Sequence, residues 1–377
     1  MCCSFVPSAF FEQIAEDESI SEGVRQEAQN HANSITKTLA AAAEAAREDT
    51  KVKTRYTEIP NGFADFNCKI WDPKTGRVLG TSYESLPGTF YSSSQDPPYE
   101  QDSDVTDCME ALRSTYDFYK TIFGRNSIDD NGLQLEASIH YSIRYGNAIW
   151  EPQSRQMVVG DGDGNSRFGL FTGFFKPGSL VTSLDIIAHE FTHGVTQHTA
   201  KLEYKGQSGA LNESISDVFG SMVLQWKLNQ TVQEADWLLG ANIIYTNSKS
   251  LEGFMREANS LRSMKDPSAT SNLFPQPDSM KHELYYNGDN TWDHGGVHRN
   301  SGVPNFAFYQ ISMALGGHSW DRAGQIWYAA LTDNRLERRA RFVAFAQLTI
   351  EHAQKLYPDD PSVVQVVEQA WKDVAVL

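Results

Sequence analysis

The residues most able to do chemistry lie in Ile187-Ala188-His189-Glu190-Phe191-Thr192-His193-Gly194-Val195. On a helix, positions four apart share a face. His189 and His193 therefore present two imidazoles to one ion, and Glu190 projects alongside, within reach of a water held there. That is the arrangement of a zinc hydrolase. Leu184, Ile186, Ile187, Ala188, Phe191 and Val195 surround the pair with apolar side chains, which predicts a buried helix rather than a solvated face. Catalytic zinc takes three protein ligands and keeps a further position open. The third donor is sought downstream, and Glu213 in Gly209-Ala210-Leu211-Asn212-Glu213-Ser214-Ile215-Ser216-Asp217 is the candidate. Asp217, one turn later on the same face, is suited to accept the second N–H of a ligating histidine and so fix its tautomer.

Further motifs follow in order: Tyr145-Gly146-Asn147-Ala148-Ile149-Trp150, Gly160-Asp161-Gly162-Asp163-Gly164, Leu261-Arg262-Ser263-Met264 and Asp293-His294-Gly295-Gly296-Val297-His298-Arg299-Asn300-Ser301-Gly302. With HExxH and NExxSD, they make the chain resemble the thermolysin-type zinc metalloendopeptidases (gluzincins, peptidase family M4) from about residue 70 to the C-terminus. The resemblance implies one catalytic Zn2+ held by His189, His193 and Glu213, the ligand set for which thermolysin is known. Glu190 is then the general base. Tyr204 and His298 donate to the oxyanion, and Asp293 orients His298. Tyr204 stands nine residues before Glu213, and Asp293 five before His298, as in that family.

Asn147, Ala148 and Trp150 are expected along an edge that pairs with extended peptide. By the same resemblance Arg262 grips a substrate carbonyl, and Leu180, Ile186 and Leu261 line the first primed pocket. Full burial of a Leu or Phe side chain contributes about 1.5 to 3 kcal/mol. Cleavage on the N-terminal side of bulky hydrophobic residues is therefore expected. The double calcium site of thermolysin is expected to be absent. Asp185 and Asp236 match two of its positions, but Leu224, Leu238 and Ala241 fall on others, and two carboxylates are too few for a tight calcium cage.

The elements that must position these groups change character along the chain. Strands are expected at Cys68 to Trp71, Arg77 to Thr81, Ala137 to Ile143 and Met157 to Gly160, with one helix over Asp104 to Phe123. Helices follow near 183–198, 211–228, 234–246, 304–315, 321–332, 339–356 and 361–374. This predicts an α+β, two-lobed fold. The β-rich N-terminal lobe spans 51–198 and the α-helical C-terminal lobe 199–377, with the zinc helix at their junction. Residues 1–50 stand apart. The apolar Phe5 to Phe11 precedes a helical pattern from Ser21 to Ala46 and a charged linker from Glu48 to Arg55. In position and size this stretch resembles the short propeptides of the protealysin-like branch, whose Pro-Pro-hydrophobic motif blocks the cleft. Here only Pro7 survives, followed by Ser8, Ala9, Phe10 and Phe11. It is expected to occupy the cleft as an intramolecular inhibitor.

The chain has 377 residues and ordinary globular composition, 40% hydrophobic and 21% charged. Its formal charge of −16 opposes nucleic acid and anionic membranes, leaving peptides and proteins as partners and a monomer as the expected state. Cys2, Cys3, Cys68 and Cys108 form no disulfide framework, though a Cys68 to Cys108 bridge is open. No basic segment followed by an apolar core opens the chain, so secretion without a recognisable signal peptide is expected, with a cytoplasmic location as the alternative. Two rival functions stand beside the latent endopeptidase: a catalytically silent zinc-binding scaffold, marked by loss of Glu190 or the oxyanion donors, and a zinc exopeptidase or other hydrolase.

Overall fold

The computed structural model describes residues 3–18, 22–26, 28–30, 32–33, 66–72, 86, 88–93, 102–141, 145–162, 175–176, 179–244, 258–289 and 291–377. One six-stranded sheet is built from β1 (Cys3–Ser4), β2 (Cys68–Asp72), β3 (Thr89–Ser93), β4 (Leu135–Ser138), β5 (Ala148–Glu151) and β6 (Gln156–Val159). Its spatial order is β1-β5-β6-β4-β2-β3, parallel between β2 and β4 and between β4 and β6, antiparallel elsewhere. β5 and β6 are buried at every residue, which explains Ile149-Trp150 and Met157-Val158-Val159 as continuous apolar runs. Helix α1 (Ser8–Glu16) follows β1, and α2 (Ser103–Phe123) packs against β2. Asp102 caps α2 by accepting from the Asp104 N–H, and Gly124 ends it at φ 70°.

The short α3 (Ser179–Thr182) leads into α4 (Leu184–His198), which lies against β5 and crosses α5 (Gly206–Leu228). The strand pair β7 (Leu238–Leu239) and β8 (Arg262–Ser263) comes next. Helices α6 (Asp293–Asn300), α7 (Gly302–Leu315), α8 (Ala323–Leu331), α9 (Phe342–Leu356) and α10 (Pro361–Asp373) complete the helical lobe. Among the described residues, no helix is long and apolar enough to cross a membrane.

The expected elements need correction in three places. Residues 234–244 form no continuous helix: β7 and a 3-10 turn over Ala241–Ile243 replace it. Trp237 and Gly240 take left-handed φ values of 61° and 66°, and the Gly240 N–H goes to Asp185 Oδ2 at 2.8 Å instead of to a helical carbonyl. Helix α1 and strand β3 lie where no regular element was expected, and α5 begins five residues before the expected 211. Cys68 and Cys108, whose pairing the sequence leaves open, are buried and not joined by a disulfide. The expected strand over Arg77 to Thr81 lies outside the described residues, as does most of the Ser21 to Ala46 pattern, of which 22–26, 28–30 and 32–33 are helical.

Two charged clusters tie distant elements together. Arg262 on β8 donates through Nε and Nη2 to both Asp217 oxygens on α5, at 3.0 and 2.7 Å, and Asn305 Nδ2 on α7 donates to Asp217 Oδ2 at 2.9 Å. Both ions are fully desolvated, so removing one strands the other. Asp217→Ala is expected to lower the unfolding free energy of the metal-free chain by about 3 to 5 kcal/mol in urea titration, against at most about 1 kcal/mol for breaking the exposed Arg335–Glu351 pair.

The second cluster joins α2 to the sheet. His140, at φ 58°, places Nδ1 2.7 Å from Asp161 Oδ1 and Nε2 3.1 Å from Asp102 Oδ2, with Asp104 Oδ2 4.0 Å away. Burial alone would lower the imidazole pKa, but the Asp161 and Asp102 carboxylates outweigh it and raise the group to about 9. The stabilisation is thus complete below the unfolded-state value of about 6.5 and lost as pH rises through about 9. We expect roughly 2 kcal/mol to disappear over that window, after allowing for the cluster's partial exposure, and His140→Gln to flatten that slope in urea midpoints measured across it.

Candidate active site

Helices α4 and α5 approach closely because Gly220 lacks a side chain: a Cβ there would lie 2.6 Å from the Asp185 backbone oxygen. This contact turns one face of each helix into a shared buried site. His189 Nε2 and His193 Nε2 come within 3.0 Å of each other, and the Glu213 oxygens stand 3.5 Å from the first and 3.4 Å from the second. Outside the triad, His193 Nδ1 meets Asn212 Oδ1 at 2.9 Å and Ser216 Oγ at 3.0 Å. His189 Nδ1 lies 3.0 Å from Asp217 Oδ1. Asn212 and Ser216 were quoted in the motif without a role. Their signal was there: they sit one residue before and three after Glu213, on the face that meets α4.

The donor set fits a zinc ion. His189, His193 and Glu213 bring their ligand atoms within 4.8 Å of one another, all buried. Glu213 Oε2 and both Glu190 oxygens are also buried without a hydrogen-bond partner, a deficit that a cation and its water would relieve. Burial pushes the Glu190 carboxyl well above the ordinary range, and the imidazole of His189 opposes it. Burial acts on Glu213 in the same direction, yet the imidazoles of His298 and His193 hold it well below that range.

A second group faces the triad from α6. Its first turn is not helical: Asp293, His294, Gly295 and Gly296 have φ values of 47°, 49°, 88° and 78°. Asp293 Oδ2 accepts the backbone N–H groups of His298 and Arg299, at 2.9 and 3.0 Å, and Oδ1 meets His298 Nδ1 at 2.6 Å. His298 Nε2 is thereby directed at the Tyr204 hydroxyl, 3.0 Å away, and this hydroxyl also donates to Glu213 Oε1.

The cleft over these groups holds the chain's own N-terminal segment. β1 pairs antiparallel with β5, Cys3 opposite Trp150 and Ser4 opposite Ile149. Phe5 N–H donates to the Ala148 carbonyl at 3.1 Å. Asn147 brackets Val6, accepting its N–H and donating to its carbonyl, both at 2.9 Å. Arg262 Nη1 donates to the Phe5 carbonyl at 2.8 Å and its guanidinium lies 4.5 Å from the Phe5 ring centroid. That ring stands edge-on to His189, with centroids 5.0 Å apart, and nearly touches the position a Gly240 Cβ would take beside Leu261. Leu180, Ile186 and Leu261 are fully buried in the core that includes Phe5. The Trp150 indole turns away, donating to Gln197 Oε1 at 2.7 Å. Asp163 and Gly164 of the acidic loop lie outside the described residues, and its Asp161 serves His140 instead.

Comparison with known proteins agrees with this geometry. Residues 41–197 match the family model of the thermolysin metallopeptidase catalytic domain, and residues 200–376 that of the thermolysin metallopeptidase alpha-helical domain. The chain is 44% identical over 298 residues to an extracellular metalloprotease of Pectobacterium carotovorum subsp. carotovorum, covering 78% of each protein. It is 42% identical over 299 residues to protease PrtS of Photorhabdus sp. (strain Az29), covering 77% of this chain and 73% of that one. The solved precursor of protealysin, a metalloproteinase from Serratia proteamaculans, superposes over 100% of both chains with a TM-score of 0.76 at 35% identity. The two helices that converge on His189, His193 and Glu213, and the lobes around them, thus belong to a chain of the thermolysin family of zinc metalloendopeptidases.

Proposed function

We propose that the chain is the latent precursor of a zinc endopeptidase that cuts on the N-terminal side of bulky apolar residues. The observation that carries this reading is the N-terminal strand: it lies along the β5 edge and sends Phe5 into the pocket beside His189 and Leu261. An inhibitor built this way competes with substrate for the same backbone partners on Asn147, Ala148 and Arg262. Residues 1–50 are the propeptide, 51–198 the β-rich catalytic lobe and 199–377 the helical lobe. Similarity to a relative named extracellular supports action outside the cell.

His189, His193 and Glu213 hold the zinc, with Asp217 orienting His189. When bound, the ion supplies Lewis acidity toward a carbonyl and makes water more acidic. The chain's own groups then act around the substrate. Glu190, buried and without a competing hydrogen bond, accepts the proton of the attacking water and delivers it to the leaving nitrogen. Tyr204 and His298 donate to the oxygen on which negative charge develops, and Asp293 holds the His298 ring for that task. Leu180, Ile186 and Leu261 make the pocket apolar, while Trp150 and Ala148 extend the strand edge toward the residues before the cut.

Asp185 supports the proposed loss of the double calcium site. Its carboxylate already accepts from Ser183 Oγ, the Ile186 N–H and the Gly240 N–H, at 2.7, 3.0 and 2.8 Å. Asp236 is exposed and accepts the Leu238 N–H. Saturating calcium is accordingly expected to leave the melting temperature of the zinc-loaded chain unchanged, and a strong rise would restore the site.

The latency itself is tested with Phe5→Asp, which puts a charge in the apolar pocket. The variant is expected to hydrolyse a quenched peptide carrying Leu or Phe after the cut at least about tenfold faster than the full-length wild type, since burying an unpaired carboxylate is strongly unfavourable. Adding Glu190→Ala is expected to reduce that activity by about 10² to 10⁴ while one zinc per chain is retained. Zinc binding without hydrolysis in either variant would favour the silent scaffold.

A further inference from the structure

We propose that the Ser4–Phe5 peptide bond lies in the reacting position, so that the latent chain is its own first substrate and the cleft is blocked by a retained product. The inference rests on the endopeptidase reading above. Chain sense comes first: β1 runs antiparallel to β5, so residues 3 to 6 pass Trp150, Ile149, Ala148 and Asn147 in turn. Arg262 holds the carbonyl of the residue whose side chain fills the pocket, Phe5. A peptidase that cuts before its pocket residue then addresses the bond on the N-terminal side of Phe5.

Two positions bracket that bond. At one end, the Phe5 ring lies against His189, a triad member. At the other, Cys3 is opposite Trp150 on β5. The backbone between Cys3 and Phe5 therefore runs along β5 up to the triad to which His189 belongs. Phe5 is itself a residue that the apolar pocket is expected to prefer.

The step is a plain hydrolysis. The oxygen of one water bonds to the Ser4 carbonyl carbon and the bond from that carbon to the Phe5 nitrogen breaks. Glu190 moves one proton from the water to the nitrogen and the second water proton follows it, leaving a Ser4 carboxylate and a Phe5 ammonium. The two products differ greatly in their hold. Cys3 and Ser4 pair with two residues of β5, whereas Phe5, Val6, Ala9, Phe10, Phe11 and Ile14 are at most 1% exposed. The amino-terminal product is free to leave. The Phe5 end stays, with Val6 still gripped by Asn147 and the new ammonium beside the Ala148 carbonyl.

The test compares zinc-loaded full-length wild type, Glu190→Ala and Phe5→Asp by N-terminal sequencing and intact mass, over a tenfold range of protein concentration. Wild type is expected to accumulate a chain beginning at Phe5 as the major species. Its rate should not depend on protein concentration, and its activity toward the quenched peptide should stay within about twofold of the uncut chain. Glu190→Ala should keep residues 1–4. If Phe5→Asp hydrolyses the peptide while wild type keeps residues 1–4, the inference falls and the latency reading stands. If Phe5→Asp is inert and wild type keeps residues 1–4, both fall. A Phe5 terminus that also appears in Glu190→Ala, or a rate that scales with concentration, overturns cleavage within the chain's own cleft.

Discussion

The structure depends on a constraint of charge burial. His189, Glu190, His193, Glu213, Asp217 and Arg262 are essentially inaccessible to solvent, and each such group calls for an answering charge, donor or metal ion. The crossing of α4 and α5 supplies most of the answers, with Gly220 permitting the approach. Arg262 then arrives from β8 to neutralise Asp217, and Asn305 from α7 fills a remaining lone pair. Each element of the helical lobe that reaches this crossing brings a polar group that another element lacks.

The same economy governs the cleft. Arg262 uses Nε and Nη2 on Asp217, and this leaves Nη1 for the carbonyl of whatever chain lies above. Asn147 offers one amide to both backbone groups of a single residue. These partners recognise main chain, so they receive a propeptide or a substrate alike. On the proposed function, discrimination rests on the side chain that enters the apolar pocket.

The parts legible in the sequence were those written at short range. The helical period placed His189 beside His193 and Glu213 beside Asp217, and the apolar residues between them announced burial. Cross-chain pairings were not legible in the same way. Nothing local to Asn305 or Arg262 says that they meet at Asp217, 88 and 45 residues away. Residues 234–244 read as helix because their apolar content suits one, but left-handed Trp237 and Gly240 and the acceptor on Asp185 redirect the backbone. At the N-terminus, family likeness indicated that the segment enters the cleft. The register of Cys3 on Trp150, and the helix that follows Pro7, emerge only when the sheet edge is present to receive them.

β1 also has a mechanical meaning. A sheet whose outer strand is unpaired offers a row of amide and carbonyl groups to any extended chain, and natural proteins shield such rows against sticking to one another. In the precursor, β1 is that shield for β5. The β5 row that it covers is only four residues long and is flanked on one side by Pro152, which suits a single extended peptide, the occupant of the proposed function. On the proposed latent-precursor reading, β1 thus also guards this edge against self-association until the cleft is opened.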